Sequence, residues 1–347
     1  MRILVTGGAG YIGSHTCVEL LAAGHDVVVY DNFSNSHPEV INRVRRISGR
    51  NVVVVCGDIR DQALLEETLR VERCTAVIHF AGLKAVAESV AHPLSYYDVN
   101  VVGSHSLIAA MQATGVKTLV FSSSATVYGE PQFLPYSEKH PFDPRNPYGR
   151  TKLVVEEMLR DLHQSNQDWS IAILRYFNPV GAHDSGLIGE DPRGEPNNLM
   201  PFVAQVAIGR REFLNIWGAD YPTPDGTGVR DYIHVVDLAR GHLQALQRLA
   251  TPQCLALNLG TGIGYSVLDV IKAFERASGS AIPYTIGPRC AGDLPTYYAD
   301  PTAAAELLGW QAELGLDAMC AATWRWQQMN PNGYQTPQEN TAAKEIS

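Results

Sequence analysis

The sequence has no run of about 20 apolar residues, the length that a helix needs to cross a membrane. It also has no excess of positive charge, since 27 Lys and Arg are outnumbered by 36 Asp and Glu, giving a formal net charge of -9. Proteins that bind the nucleic-acid backbone normally present a basic face, so the charge argues against that class. The first residues, Met1 to Thr6, are typical of a strand and not of a signal peptide, and we expect a cytoplasmic protein.

Cysteine is scarce as well. The six Cys residues lie far apart and form no CxxC pair, so we expect reduced thiols and no disulfides. The 11 His residues form neither an HExxH motif nor a His/Cys cluster at ligand spacing. We therefore predict no metal site.

The first half of the sequence alternates short apolar runs with longer helical patterns. Because the runs are continuously apolar, they predict strands that are buried on both faces of a parallel sheet. The alternation predicts an α/β fold with a doubly wound parallel sheet, the Rossmann type. The predicted strands are Ile3–Thr6, Val27–Tyr30, Val52–Cys56, Ala76–Phe80, Leu119–Ser122 and Ile171–Arg175.

The character of the sequence changes after about Phe177. Pro, Gly and Asn cluster between residues 178 and 201, and mixed segments follow, including a predicted strand at 255–259. We interpret this part as a smaller α/β substrate-binding domain. The predicted boundaries are residues 1–177 for the Rossmann domain, 178–329 for the second domain and 330–347 for a polar, frayed tail.

A glycine-rich turn follows the first predicted strand and opens a helix. It reads Thr6-Gly7-Gly8-Ala9-Gly10-Tyr11-Ile12-Gly13, which satisfies the pattern GxGxxG. Glycines at these positions allow a tight turn and a close approach to pyrophosphate, and the helix N-terminus offers free N–H groups to phosphates. Asp31 ends the second strand, where a carboxylate accepts hydrogen bonds from ribose hydroxyls and repels a 2′-phosphate. The pair predicts NAD in preference to NADP; the alternative is a packing turn and an ordinary strand-end Asp.

Tyr148 and Lys152 are four residues apart and therefore share one face of a predicted helix. A phenol has a pKa near 10, too high for a base at neutral pH. An ammonium about 4 Å away, helped by a positive nicotinamide ring, would lower that pKa toward about 7, where a general base works best. Alternatively, Tyr148 is an exposed ring beside a solvated lysine. Ser124, in a Ser triplet at the end of the fifth strand, favours the catalytic interpretation because its hydroxyl would lie at the same sheet edge.

The order and spacing of these motifs resemble the extended short-chain dehydrogenase/reductase superfamily. Further segments resemble the UDP-glucose 4-epimerase family within it, and the resemblance covers Met1 to about Trp326. These segments are His79–Val86, Ser122–Tyr128, Arg175–Ala182, Pro196–Pro201 and Gly226–Val235.

The resemblance implies a role for each matching position. Ser124, Tyr148 and Lys152 would be catalytic. Residues that would line NAD are Gly7, Gly10, Tyr11, Ile12, Gly13, Asp31, Asn32, Phe33, Ser34, Asn35, Ser36, Asp58, Ile59, Phe80, Ala81, Gly82, Leu83, Lys84, Tyr148, Lys152 and Phe177. Residues that would hold the UDP-sugar are Ser124, Tyr148, Asn178, Asn198, Leu199, Asn215, Ile216, Trp217, Arg230, Arg289, Asp293 and Tyr297.

The implied reaction interconverts UDP-glucose and UDP-galactose. Tyr148 would take the proton from the sugar O4 while the C4 hydride moves to NAD, and the resulting 4-keto sugar would take the hydride back on its other face. Tyr297 would limit the space beside the sugar C2 and exclude an N-acetyl group. The resemblance also implies a homodimer that pairs through helices near residues 93–114 and 148–165.

One position departs from the family. Relatives commonly have Arg-x-Gly-Asp before the tyrosine gate, whereas this sequence reads Arg289-Cys290-Ala291-Gly292-Asp293. A neutral thiol cannot replace a charged contact to pyrophosphate, so either Arg289 substitutes for it or Arg230 acts alone.

Two alternative functions would make different demands on the sequence. A nucleotide-sugar 4,6-dehydratase would need an acid/base pair near the serines, where this sequence has Ala125 and Thr126. A non-catalytic NAD-binding protein would have little need for Tyr148 and Lys152 together.

Overall fold

The structure, a computed structural model, describes residues 1–289 and 293–334. Its strands are β1 (Arg2–Thr6), β2 (Asp26–Asp31), β3 (Val53–Cys56), β4 (Ala76–His79), β5 (Thr118–Ser124), β6 (Ser170–Tyr176), β7 (Asn178–Val180), β8 (Leu214–Trp217), β9 (Val229–His234), β10 (Cys254–Leu259), β11 (Gly264–Ser266), β12 (Tyr284–Gly287) and β13 (Thr296–Tyr297).

The α-helices lie between and after these strands. They are α1 (Tyr11–Ala22), α2 (Glu39–Ser48), α3 (Gln62–Val71), α4 (Val86–Ala91), α5 (Pro93–Tyr96), α6 (Gly103–Thr114), α7 (Pro147–Ser165), α8 (Leu199–Ala207), α9 (Val235–Arg248), α10 (Val267–Ser278), α11 (Thr302–Leu308) and α12 (Leu316–Met329). A π-helical turn at Tyr97–Val102 joins α5 to α6, and a 3₁₀ turn at Ala125–Val127 follows β5.

Seven strands form one parallel sheet in the order β10-β6-β5-β4-β1-β2-β3. The six strands predicted from the apolar runs all belong to it, and the predicted parallel α/β fold is confirmed. Ile3, Leu4 and Val5 show why, because all three are fully buried between the helical layers. The strand order reverses between β1 and β4, so a crevice for a ligand opens at the carboxyl ends there.

The second half of the chain builds smaller sheets. Strand β9 pairs with β7, β11 and β13, while β8 pairs with β12. The strand predicted at 255–259 forms as β10, but it pairs with β6 in the central sheet and does not belong with these smaller sheets. Its Leu257 and Leu259 are buried, which explains why it completes the large sheet. The division into residues 1–177, 178–329 and 330–347 remains a proposal.

The chain after α12 begins in a packed conformation. Tyr334 is 4% exposed and its ring centroid lies 4.7 Å from that of Trp326. The guanidinium of Arg43, from α2, lies 4.9 Å from the Tyr334 ring. Residues 330–334 are therefore not frayed, because aromatic burial outweighs their polar composition. The rest of the predicted tail, residues 335–347, lies outside the described residues.

Across residues 1–289 and 293–334, the structure contains no helix that is both long and apolar enough to span a membrane.

Candidate active site

The glycine-rich turn lies between β1 and α1, at the crevice. Gly7 has a φ of +67°, and a Cβ there would come within 2.7 Å of the Ala81 nitrogen. A Cβ on Gly13 would lie 2.3 Å from the Gly7 oxygen. Gly10 caps α1 without a side chain, so the first N–H groups of this helix have no intrahelical acceptor. The turn therefore presents bare backbone with free N–H donors, which is the arrangement that a bound pyrophosphate needs.

Asp31 lies at the end of β2 and connects two loops of the crevice. One carboxylate oxygen accepts the N–H of Ala9 at 3.0 Å, and the other accepts the N–H of Phe33 and the hydroxyl of Ser36, each at 2.9 Å. Phe33 takes a left-handed backbone with φ of +56°. Because a carboxylate has about four acceptor sites, Asp31 can fix this turn and still accept a ribose hydroxyl.

The loop after β4, which contains Phe80 to Lys84, is held by Asn100 of the π-helical turn. The Asn100 side chain accepts the Leu83 N–H at 2.7 Å and donates to the Leu83 carbonyl and to the Thr151 hydroxyl, both at 3.0 Å. Thr151 lies between Tyr148 and Lys152 on α7, so Asn100 ties this loop to the helix that carries the predicted catalytic residues. Asn100 is not among the residues predicted from the sequence, where it is one of two polar residues, with Asp98, in the run Tyr97–Val102.

Lys84 extends this edge toward the second half of the chain. Its ammonium lies 3.3 Å from Glu190, and Glu190 also accepts a 2.7 Å hydrogen bond from the side chain of Asn198. Glu190 is likewise absent from the residues predicted from the sequence. It joins a predicted cofactor residue, Lys84, to a predicted substrate residue at the start of α8.

Asp58 and Ile59 lie in the loop that follows β3. Asp58 pairs with Arg60 at 2.8 Å and accepts from the Asn32 amide at 3.3 Å, which links two predicted cofactor residues. Ile59 is buried in the core beneath them.

The predicted catalytic residues converge at the carboxyl ends of β5 and β6. Helix α7 begins at Pro147, capped by the Asn146 side chain, which accepts the Gly149 N–H at 2.9 Å. Lys152 is buried; its ammonium donates a 2.7 Å hydrogen bond to the Ser122 carbonyl and lies 5.9 Å from the centre of the Tyr148 ring. Ser124 ends β5, and its hydroxyl oxygen accepts the Thr126 N–H at 3.2 Å.

The protonation of this set differs from the simplest expectation. Burial raises the pKa of Tyr148, and a hydrogen bond with Ser124 offsets only part of that rise. Burial also lowers the pKa of Lys152 to about 8, while Glu156 acts to raise it. The predicted fall of the Tyr148 pKa toward about 7 is thus not produced by the chain alone, because desolvation of the phenol is the larger effect.

The candidate substrate residues lie on the smaller sheets beside this set. Asn178 is in β7, and Arg230 of β9 lies opposite Tyr297 of β13. Arg230 forms a 2.5 Å ion pair with Asp293. The Tyr297 ring contacts the rings of Tyr136 and Phe177, with centroids 5.1 and 4.9 Å away. These contacts fix the ring of the predicted gate.

The predicted substrate residues on strand β8 point alternately to its two faces. Asn215 and Trp217 are exposed, whereas Ile216 is 2% exposed and packs in the core of the second half with Met200 and Phe274. The side chain of Ile216 therefore cannot contact a substrate, and only its backbone remains available. The alternation of a half-buried strand explains this correction.

Arg289 and Arg230 interact with different residues. Its guanidinium pairs with Asp220 at 2.7 Å and lies 4.4 Å from the centre of the Tyr221 ring. Cys290, where the family has arginine, lies outside the described residues. Among the described residues, no group of three or more His, Cys, Asp or Glu side chains could hold a metal ion.

Known proteins resemble this chain over nearly its whole length. The model of the NAD dependent epimerase/dehydratase family matches residues 3–260. UDP-glucose 4-epimerases from Bacillus subtilis and Homo sapiens are 57% and 58% identical over 337 and 343 residues, which is 97% and 96% of this chain and 99% of each relative. The crystal structure of UDP-glucose 4-epimerase from Bifidobacterium longum in complex with NAD+ and UDP has a TM-score of 0.93 at 53% identity, covering 96% of this chain and 100% of that one.

Proposed function

The chain belongs to the NAD dependent epimerase/dehydratase family, and from that premise we propose that it inverts C4 of a UDP-linked hexose, the UDP-glucose 4-epimerase reaction. It is an enzyme, an isomerase, and its cofactor is NAD. The observation that carries the proposal is the convergence of Ser124, Tyr148 and Lys152 beside the glycine-rich cradle.

The residues of the crevice fit NAD. The cradle at Gly7 and Gly13 has no room for a Cβ, so its backbone is open to a pyrophosphate. Asp31 would accept from the adenosine ribose, and Lys152 would lie near the nicotinamide ribose. When bound, NAD accepts the hydride from the sugar C4 and returns it.

The chain itself moves the proton. Tyr148 takes the proton of the sugar 4-hydroxyl and gives it back when the 4-keto group is reduced, as microscopic reversibility requires. The Ser124 hydroxyl hydrogen-bonds the same sugar oxygen. Lys152, held by the Ser122 carbonyl, supplies the positive charge that favours the Tyr148 phenolate.

The nucleotide is held away from the reacting carbon. Arg230 would contact the diphosphate, Asn178 and Asn198 would bind it from the neighbouring loops, and exposed Trp217 would cover the base. With the contacts concentrated on the nucleotide, the hexose can turn over between the two hydride transfers. We propose UDP-galactose and UDP-glucose as the two substrates on this basis.

The two alternative functions fit the site less well. After Ser124 come Ala125, which is fully buried, and Thr126, which cannot serve as the extra acid/base pair of a 4,6-dehydratase. A non-catalytic NAD-binding protein would not need a buried lysine aligned with a tyrosine at a sheet edge.

A homodimer and a cytoplasmic location complete the proposal. Apolar side chains are exposed along α4, α5 and the π-helical turn, with Val90 63% and Leu94 82% exposed. Leu94 and the π-helical turn lie within the expected pairing segment near residues 93–114, α4 directly precedes it, and a second copy would bury this patch. Sedimentation of the parent and of Leu94→Glu tests the dimer: the parent should sediment as a dimer and the variant should shift toward a monomer. A monomeric parent would refute it.

The test of the function is conversion without added cofactor. Purified protein should carry NAD and turn UDP-galactose into UDP-glucose with no net reduction of the cofactor pool. A protein that demonstrably holds NAD but gives no conversion would contradict the proposal.

A further inference from the structure

A buried carboxylate, Glu156, lies one helical turn beyond Lys152 and two turns beyond Tyr148. It is 0% exposed, although a charged side chain is almost never fully buried unless it is paired. Nothing in the proton transfer described above uses it. Its position on the same face of α7 as both catalytic residues calls for a role.

Apart from Arg160 on its own helix, which donates at 2.7 Å, Glu156 is bound by residues of two neighbouring strands. Ser123 of β5 donates to one carboxylate oxygen at 2.5 Å, and Arg175 of β6 donates to both oxygens, at 2.9 and 2.6 Å. Ser123 and Arg175 are directly paired across the sheet. One carboxylate therefore fastens α7 to β5 and β6 at the position next to Ser124.

The anchoring continues into the sheet. Arg175 is 1% exposed, donates to the Tyr128 hydroxyl at 2.9 Å, and has its guanidinium 4.7 Å from the centre of the Phe142 ring. Tyr128 in turn donates to Asn258 of β10 at 2.7 Å. Arg175 is thus held on several sides, so the link from Glu156 to the sheet goes through a rigid group.

We propose that Glu156 is a positioning residue for the proposed epimerase reaction: it fixes α7 against β5, which sets Tyr148 and Lys152 against Ser124, and it keeps Lys152 charged. This inference rests on the proposed function. The role in fixing α7 follows from the hydrogen bonds to Ser123 and Arg175. The role in keeping Lys152 charged follows from the four-residue spacing of two opposite charges on one helix face.

The charged and titratable groups around these residues support the second part. Lys152 faces Tyr148 and Glu156 on its own helix and His79 from β4, where burial lowers the pKa of the imidazole to about 3 and leaves it neutral. Glu156 faces Arg160 on its own helix and Arg175 from β6. Glu156 raises the pKa of Lys152 against the effect of burial, and Arg175 lowers the pKa of Glu156 so that it stays ionised.

The test compares Glu156→Gln with Glu157→Gln, since Glu157 is the exposed neighbour on the same helix. Without the Glu156 charge, the pKa of Lys152 falls, so the alkaline decline in turnover should begin at a lower pH. We expect kcat at neutral pH to fall roughly 10-fold to 100-fold, which is less than the roughly 100-fold to 10,000-fold contribution of a general base, because Tyr148 and Lys152 are still present. Glu157→Gln should match the parent. A Glu156→Gln profile that superimposes on the parent profile overturns the proposal.

A second readout does not depend on turnover. The Lys152 ammonium is titrated by ¹⁵N-lysine NMR in the parent and in Glu156→Gln, with Lys152→Ala identifying its signal. The Lys152 ionisation should move to lower pH in Glu156→Gln, because the carboxylate no longer favours the charged form; an unmoved ionisation overturns the charge role. If the parent holds NAD but epimerises nothing, the proposed function fails while this spectroscopic result still decides the role of Glu156.

A conservative variant separates position from charge and also serves if Glu156→Gln does not fold. Glu156→Asp keeps the charge but withdraws the carboxylate by one methylene from Ser123 and Arg175. Its turnover should fall while the alkaline limb of the profile stays where the parent has it. Parental turnover in Glu156→Asp overturns the positioning role.

Discussion

The ammonium of Lys152 donates a 2.7 Å hydrogen bond to the main-chain carbonyl of Ser122. Ser122 is two residues before Ser124 on β5. The hydrogen bond therefore fixes the Lys152 ammonium of α7 directly to the strand that carries Ser124. Both strand residues and the helix face are thereby fixed relative to one another. This arrangement supports the proposal that Tyr148 transfers the proton and that Lys152 stabilises its phenolate.

Replacing Tyr148 by Phe tests the base. The substitution removes the phenolic oxygen and keeps the ring, so turnover should fall about 100-fold or more while folding and NAD content change little. A fixed-time assay of product formation measures turnover, and the absorbance of cofactor released on denaturation measures NAD content. Near-parental turnover would mean that another group takes the proton.

Lys152→Ala should have a second consequence. It removes the cation and its bond to Ser122, so turnover should fall and the contact to the nicotinamide ribose should be lost as well. We expect less NAD in the purified variant than in Tyr148→Phe. Equal cofactor content in the two variants would show that Lys152 does not help to hold NAD.

Tyr297 should decide which sugars enter. Its ring is fixed by Tyr136 and Phe177, so it cannot easily swing aside for an N-acetyl group. The parent should strongly prefer plain hexoses, and Tyr297→Cys should gain activity on UDP-N-acetylglucosamine. Tyr298→Cys, the adjacent ring, is the control and should keep the parental preference. Comparable parental rates on both classes of sugar would rule out the gate.

The diphosphate contact can be divided between two arginines. Arg289 is engaged by Asp220 and Tyr221, whereas Arg230 lies opposite Tyr297 at the site. Losing one charged hydrogen bond costs roughly 1.5–3 kcal/mol, about 10-fold to 150-fold in affinity. We expect that loss of UDP affinity in Arg230→Ala, and a dissociation constant near the parental one in Arg289→Ala. The reverse order would identify Arg289 as the substitute for the arginine missing at Cys290.

Buried histidines should make the fold sensitive to acid. Burial lowers the pKa of His79 to about 3 and that of His242 to about 4, below the ordinary value of about 6.5. The unfolded chain therefore binds more protons between those values, so the free energy of unfolding falls as the pH drops below about 6.5. At about pH 5, each histidine should account for a loss of about 2 kcal/mol. Denaturant unfolding of the parent and of His242→Gln at about pH 6.5 and about pH 5 measures how much unfolding free energy each protein loses. Equal losses in the two proteins would contradict the role given to His242.

The sequence predicted the features that follow from local periodicity. Continuous apolar runs located all six early strands of the sheet, and the four-residue spacing placed Tyr148 and Lys152 on one helix face. Pairings between distant residues were beyond such patterns. Lys84 pairs with Glu190, and Arg175 pairs with Glu156, only because the fold brings distant segments together. Likewise β10 could not be assigned to the central sheet, because an apolar run does not specify which edge it will join.

The hydride itself gives the most direct test of the central claim, that C4 is oxidised and re-reduced within one active site. UDP-galactose carrying deuterium at the sugar C4 is incubated in ordinary water with the protein and no added cofactor. The product UDP-glucose should retain deuterium at C4, because the hydride leaves to bound NAD and returns to the same carbon. Product with hydrogen from solvent at C4, or no product from protein that holds NAD, would contradict the account.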